Sequence, residues 1–538
     1  MPSTEYESAA FPWDPSNQTA TQIYPRPDAE TPAWAFHRVH YYDGVNSVSS
    51  RIPIQPRGGS FPWNFVIIQA PAAANATLGA SSWVLGWAIA DATAAGYGDL
   101  VVTPSAAYSN ELFWVRAYDQ EGNYQDFKWT ASTVAGYDAT NKMGFVFLNY
   151  TLGVDPATYP TSGVSSNFSS PIKTFNWAFG ATNTTTTYPN AILVIAGSPI
   201  PAFAQSSSYG MPFAPGYGPM AIVAASGASV SIDCTSAGTL MAFDVGTNAT
   251  DVFVQGFSMI NVPAASTNFR HIAAPNGNLG NHRFFAHNIS FPNIQVGSSP
   301  TANAGPIQFD ATAVGVNRLY IGIKGITQTN MAGGANVFSI LNTYTCQYVV
   351  AFLCSATNSN GNNPGGVMIK ASTSDWSVTA SKVVLGTQGE SAFALFAQWN
   401  GTQSKNGEID HCILDNSQNG YGGWAPEVNM SYSASVPAAE QTFGPVYATR
   451  CSILGAVDVD TPAGNGPVYL RNCAIELGTR TQPVYINRAA GTVPSNVTNS
   501  GTECQAASGV FNSPSAGDYS FATAYAAYQY ERGAVILS

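Results

Sequence analysis

Between residues 407 and 488, short runs of alternating apolar and polar residues recur. Gly407-Glu408-Ile409-Asp410 runs through His411 into Cys412-Ile413-Leu414-Asp415. Val446-Tyr447-Ala448-Thr449 runs through Arg450 into Cys451-Ser452-Ile453-Leu454, and Val468-Tyr469-Leu470-Arg471 through Asn472 into Cys473-Ala474-Ile475-Glu476. Alternation gives each strand position a side, so Ile409, Ala448 and Leu470 face one way and Asp410, Thr449 and Arg471 the other. At His411, Arg450 and Asn472 the phase resets. Cys412, Cys451 and Cys473 then share the side of Leu414, Ile453 and Ile475. The pattern predicts two short strands per copy, joined at a sharp corner and apolar on the inside of both. One such unit cannot bury its inner face, but a stack with a spacing of about 4.8 Å can.

The cysteines at 412, 451 and 473 lie 39 and 22 positions apart, an uneven spacing that suits a solenoid with variable insertions. Looser copies occupy residues 252–259, 283–291, 319–323 and 383–385, with His287 read as a corner residue like His411. Pro-Val-Tyr recurs at Pro445, Pro467 and Pro483. In this repeated phrase the chain from about residue 170 to its last residue resembles the right-handed parallel β-helix proteins, a superfamily that includes pectate-lyase-like enzymes and phage tailspikes. The resemblance implies a fold and leaves the activity open.

Ahead of the repeats, residues 1–55 are rich in Pro, Tyr and Trp and are expected to form an extended arm, because each proline disfavours helix in the residue before it. Residues 56–140 carry alternating runs at 65–68, 98–104, 111–120 and 126–132, with a turn at Glu121-Gly122-Asn123, the pattern of a small β-sandwich. They resemble the bacterial Ig-like modules of surface proteins, which serve as spacers or adhesive units. Residues 141–190 are expected to be a linker and a cap over the first coil. Residues 191–500 then form the β-helix, with 191–197 as its first rung strand, and 501–538 a C-terminal cap. The expected fold class is all-β: an Ig-like β-sandwich followed by a right-handed parallel β-helix solenoid.

Composition sharpens this picture. Charged residues are 9% of the 538, while 45% are hydrophobic and 12% aromatic, so the low charge does not signal disorder. A surface of hydroxyls and amides suits an extracellular or virion-exposed β protein. The first residues carry no Sec-type signal peptide, and no apolar run is long enough to span a membrane. Assembly in the cytoplasm with release by lysis would reconcile the two, and a trimmed signal or a non-Sec export route would do so equally well. A net charge of −11 with only 20 Lys and Arg argues against nucleic acid, and against a strongly acidic polymer unless a local groove is basic. The seven cysteines show no metal-site spacing and are expected to pack as small apolar groups. No cofactor or metal is expected.

The best candidate constellation lies on the outer wall of the repeats. Glu408 and Asp410 are two apart on one strand face, so about 7 Å separates their Cα atoms. Inverting glycosidases hold their two carboxyls roughly 6.5–9.5 Å apart. Asp415 and Glu476 lie past the corner in matching positions. Arg471 is expected near Asp410, with Tyr447 and Tyr469 near Glu408, and Trp424 could stack on a sugar ring. Three functions follow as expectations: a virion or cell-surface protein of tailspike or appendage type that recognises glycans and is expected to be a homo-oligomer; a polysaccharide hydrolase, or less readily a lyase, using Glu408 and Asp410; or a structural, self-assembling subunit.

Overall fold

The phase reset at each corner is a backbone event. In the structure, a computed structural model, His411, Arg450 and Asn472 have φ of 51°, 49° and 50°. The same left-handed conformation occurs at Gly256, Asn288, Gly325, Leu353 and Ala380. It costs an ordinary residue about 1–2 kcal/mol. The corner amides nonetheless stay in the ladder: the N–H of His411 donates to Thr449 O at 3.0 Å, and that of Arg450 to Arg471 O at 2.9 Å. Keeping that bond offsets the strain. The structure describes residues 35–56, 63–79 and most of 96–155, then the strands between 168 and 528 with the turns beside them.

Stacking these corners builds a parallel β-helix-type solenoid of three sheets, with 12, 11 and 9 strands among the described residues. One coil supplies Gly407–Asp410 to the first sheet, Ile413–Asp415 to the second and Glu427–Asn429 to the third. The next supplies Val446–Thr449, Ser452–Leu454 and Val457–Asp460. Register follows the alternation, with Ile409 opposite Ala448 and Ala448 opposite Leu470. These residues share one core cluster with Cys412, Cys451, Cys473, Leu414, Ile453 and Ile475. The three thiols are free and fully buried. Burial raises that of Cys451 well above its ordinary pKa.

Two details differ from the sequence reading. The first sheet begins with Phe145–Asn149, which pairs in parallel with Ala191–Ala196, so the solenoid starts a coil earlier than 191. Val146 and Leu148 enter the core there, and Ile172 and Phe175 pack beside them. The upstream corner is Asn288, a residue type that tolerates left-handed backbone, whereas His287 ends the strand His282–His287.

Among the described residues, the N-terminal module has seven strands in chain order: β1 (Val39–Tyr41), β2 (Ser50–Pro53), β3 (Asn64–Gln69), β4 (Thr77–Leu78), β5 (Asp99–Val102), β6 (Glu111–Tyr118) and β7 (Tyr124–Val134). They form two sheets, β1-β7-β6-β3 and β2-β5-β4. Strand β1 runs parallel to β7 and the other pairs are antiparallel. Part of the segment read as an arm thus supplies one strand to each sheet, while residues 1–34 lie outside the described residues.

This module lies against the side of the solenoid. Phe36 stacks on Phe253 at 5.4 Å, and Val39 and Tyr41 cluster with Ala221, Val223, Phe285, Tyr320 and Val350 on the outer face of the first sheet. Corner residues Leu353 and Ala380 enter the module's own core beside Trp63. Within this junction Lys324 Nζ lies 2.5 Å from Asp99 Oδ1 and donates to Tyr97 O at 2.6 Å. His287 Nε2 lies 3.1 Å from Asp99 Oδ2, and all three side chains are fully buried. Charge and hydrogen bonds from His287 and Lys324 hold the Asp99 carboxyl below the usual range against the opposing effect of its burial.

At the other end, Cys504–Ala506 adds the last strand of the second sheet. The antiparallel pair Phe511–Ser513 and Asp518–Phe521 then folds back over that sheet's flank. Its Phe511, Tyr519 and Phe521 cover Val384, Ile413, Leu454 and Ala474.

Candidate functional site

The outer face of the first sheet changes character past the module. Parallel register stacks Ser377, Glu408, Tyr447, Tyr469 and Thr498 in one column, and Thr379, Asp410, Thr449, Arg471 and Ser500 in the next. Glu408, Tyr447, Tyr469 and Arg471 are half-exposed. The rings of Tyr447 and Tyr469 stack 4.9 Å apart at 11°, and the Arg471 guanidinium lies 5.7 and 5.0 Å from their centroids. The ledge thus groups two stacked tyrosine rings and a guanidinium, with the half-exposed Glu408 one coil away.

The carboxylates separate in role. Asp410 is 4% exposed, and its Oδ1 lies 2.8 Å from Nδ1 of His411. Arg471 sits two coils from Asp410, with Thr449 between them, so these two are not neighbours. Asp415 and Glu476 anchor the C-terminal hairpin. Tyr519 donates to Asp415 Oδ2 at 2.6 Å, and Glu476 accepts from the Tyr421 hydroxyl at 3.1 Å and from the amides of Val510 and Phe511 at 3.0 and 3.3 Å. Burial and then the Asp415 charge push the Tyr519 phenol well above its ordinary pKa. Trp424 lies outside the described residues. Trp376 is a core residue with 2% exposure.

Sequence reasoning missed the Asp99, His287 and Lys324 cluster. A signal was present, because Lys324 ends a strand, Leu319–Lys324, that is apolar on both faces, the mark of a sheet covered outside as well as inside.

Among the described residues, no group of three or more His, Cys, Asp or Glu side chains is arranged to hold a metal ion. No helix among them is long and apolar enough to cross a membrane. Comparison with protein-family models, with curated proteins and with solved structures returns no match to this chain.

Proposed function

We propose that the chain is a surface protein of tailspike or appendage type that recognises glycans through the Tyr447, Tyr469 and Arg471 ledge. The observation that carries this reading is the half-exposed ring pair, held in register at 4.9 Å with Arg471 alongside. Donors and an acceptor at fixed coil spacing suit the repeated hydroxyls of a saccharide, and a rigid sheet supplies them with little ordering cost. The low-charge, hydroxyl-rich composition supports an extracellular or virion-surface location. We read the N-terminal module as Ig-like, because strands β2-β5-β4 and β3-β6-β7 follow the strand order of that sandwich. Assembly as a homo-oligomer belongs to the same reading, and light scattering on the full chain tests it.

The hydrolase alternative is less well supported. Glu408 is the half-exposed carboxylate of its pair, while Asp410 is buried beside His411. A two-carboxyl mechanism needs both groups at the substrate. The deciding experiment is a glycan array followed by titration of any hit. Tyr447→Phe with Tyr469→Phe removes both hydroxyls and keeps the ring stack, and it should weaken binding at least tenfold. A glycan bound equally well by this variant and by Arg471→Gln would sink the proposal.

A further inference from the structure

We infer that the cleft between module and solenoid is a second binding site, suited to a hexose-sized polyol bearing one anionic group. The cleft measures about 390 Å³, within the roughly 300–1,000 Å³ of small-ligand pockets. Ser49, Arg51 and Gly96 of the module face Asn288, Ser290 and Thr327 of the solenoid across it. The site is independent of the tyrosine ledge.

Charge comes first. Among the described residues, no Asp or Glu lines the cleft. Behind it, Asp99 faces three basic groups: Lys324 at 2.5 Å, Arg51 at 3.4 Å, and His287 at 3.1 Å, whose burial lowers its pKa and leaves Lys324 and Arg51 as the cations. Lys324 is fully buried and holds the nearer contact, while the Arg51 side chain is 35% exposed. One carboxylate between two cations leaves positive charge at the cleft wall, in a chain whose net charge is −11. This is the locally basic groove that an anionic ligand requires.

Hydrogen bonding supplies the second observation. Asn288 Oδ1 is buried and has no hydrogen-bond partner among the described residues. An acceptor so placed is costly unless a donor meets it, and a ligand hydroxyl would do so. Around it, Ser290 and Thr327 stand opposite each other in adjacent coils, both half-exposed. Gly256 and Gly325 keep the floor low enough for close approach. A bare anion would answer Arg51 and leave Asn288 unmet, and a neutral sugar would do the reverse. A sugar acid or a sulfated sugar answers both.

Calorimetric titration of the full chain with glucuronate, glucose 6-sulfate, glucose and inorganic sulfate tests this. One or both charged sugars should bind at least tenfold more tightly than glucose or sulfate, and the tighter one identifies the anionic group. Arg51→Gln should lower affinity to the level of glucose, with Arg51→Lys intermediate. Asn288→Gly should weaken binding at least threefold, and it should fold, because Gly256 and Gly325 already hold the same corner backbone in the flanking coils. Tyr447→Ala should leave this binding unchanged. Failure of both charged sugars to bind, glucose binding as tightly as they do, or an Asn288→Gly variant of full affinity would each overturn the inference.

Discussion

Replacing Asp99 by Asn tests how the module is held to the solenoid. The change preserves shape but leaves the fully buried Lys324 ammonium without a counter-charge, facing only neutral groups such as the Tyr97 carbonyl at 2.6 Å. Removing one partner of a buried ion pair typically costs about 3–5 kcal/mol. An independent ceiling comes from the lysine itself, which can escape by losing its proton. For an amine of ordinary pKa this costs about 4.6 kcal/mol at pH 7 and falls by about 1.4 kcal/mol for each pH unit above that. The defect should therefore be about 3–4.6 kcal/mol at neutral pH and shrink towards pH 9. The sign follows from linkage: burial lowers the Lys324 pKa in the fold, so between that lowered pKa and about pH 10.4 the unfolded chain binds more protons and stability rises with pH. Guanidinium denaturation followed by tryptophan fluorescence reports on this junction, since Trp63 is buried in it. The double variant Asp99→Leu with Lys324→Met should recover most of the loss, because an apolar pair of similar volume removes the desolvation cost. A loss under about 1 kcal/mol for Asp99→Asn, unchanged between pH 7 and 9, would refute the reasoning.

Three further perturbations probe other parts of the fold. Gly407→Ala places a Cβ 2.1 Å from the Trp376 ring, and thermal melting should show a loss of about 1–3 kcal/mol or more. His40 is fully buried and burial lowers its pKa to about 3, so stability should be complete above pH 6.5 and fall by about 1.4 kcal/mol per unit as pH drops from there towards 3. A His40→Asn variant titrated by denaturation should show a flatter acid limb. Tyr519→Phe removes the buried bond to Asp415, a loss of about 1.5–3 kcal/mol, and limited proteolysis should then clip the C-terminal hairpin sooner than in the parent chain.

What the sequence made legible is what lies within one coil. The strand, the corner at His411, Arg450 and Asn472, and the inward thiol all follow from alternation and a phase reset. The third sheet does not, because strands as short as Glu427–Asn429 carry too few positions to show a period. Pro-Val-Tyr illustrates the limit: the copies at Val446 and Val468 lie in the first sheet, whereas Val484–Ile486 lies in the third. Three residues do not specify a face. Asp415 and Glu476 sit outside the core as alternation requires, yet Tyr519, 104 positions from Asp415, covers one of them. Contacts at that separation leave no local trace.

The two outer walls explain where function can reside. On the first sheet the early coils present Ala221, Val223, Phe253, Phe285 and Val350 to the module, and farther along Glu408, Tyr447, Tyr469 and Arg471 are half-exposed. The second sheet does the opposite. Its early coils present Ser231, Ser258, Ser290 and Thr327, stacked in register and half-exposed, and its later coils present Val384, Ile413, Leu454 and Ala474 to the hairpin. Each cover therefore lies over an apolar stretch that would otherwise be an exposed patch prone to association. The uncovered stretches are polar, rigid and repetitive, and they fall at opposite ends of adjacent walls. A ligand long enough to span several coils could engage either one without disturbing a cover, so binding and fold stability should separate in mutagenesis on these two walls and stay coupled everywhere the covers sit.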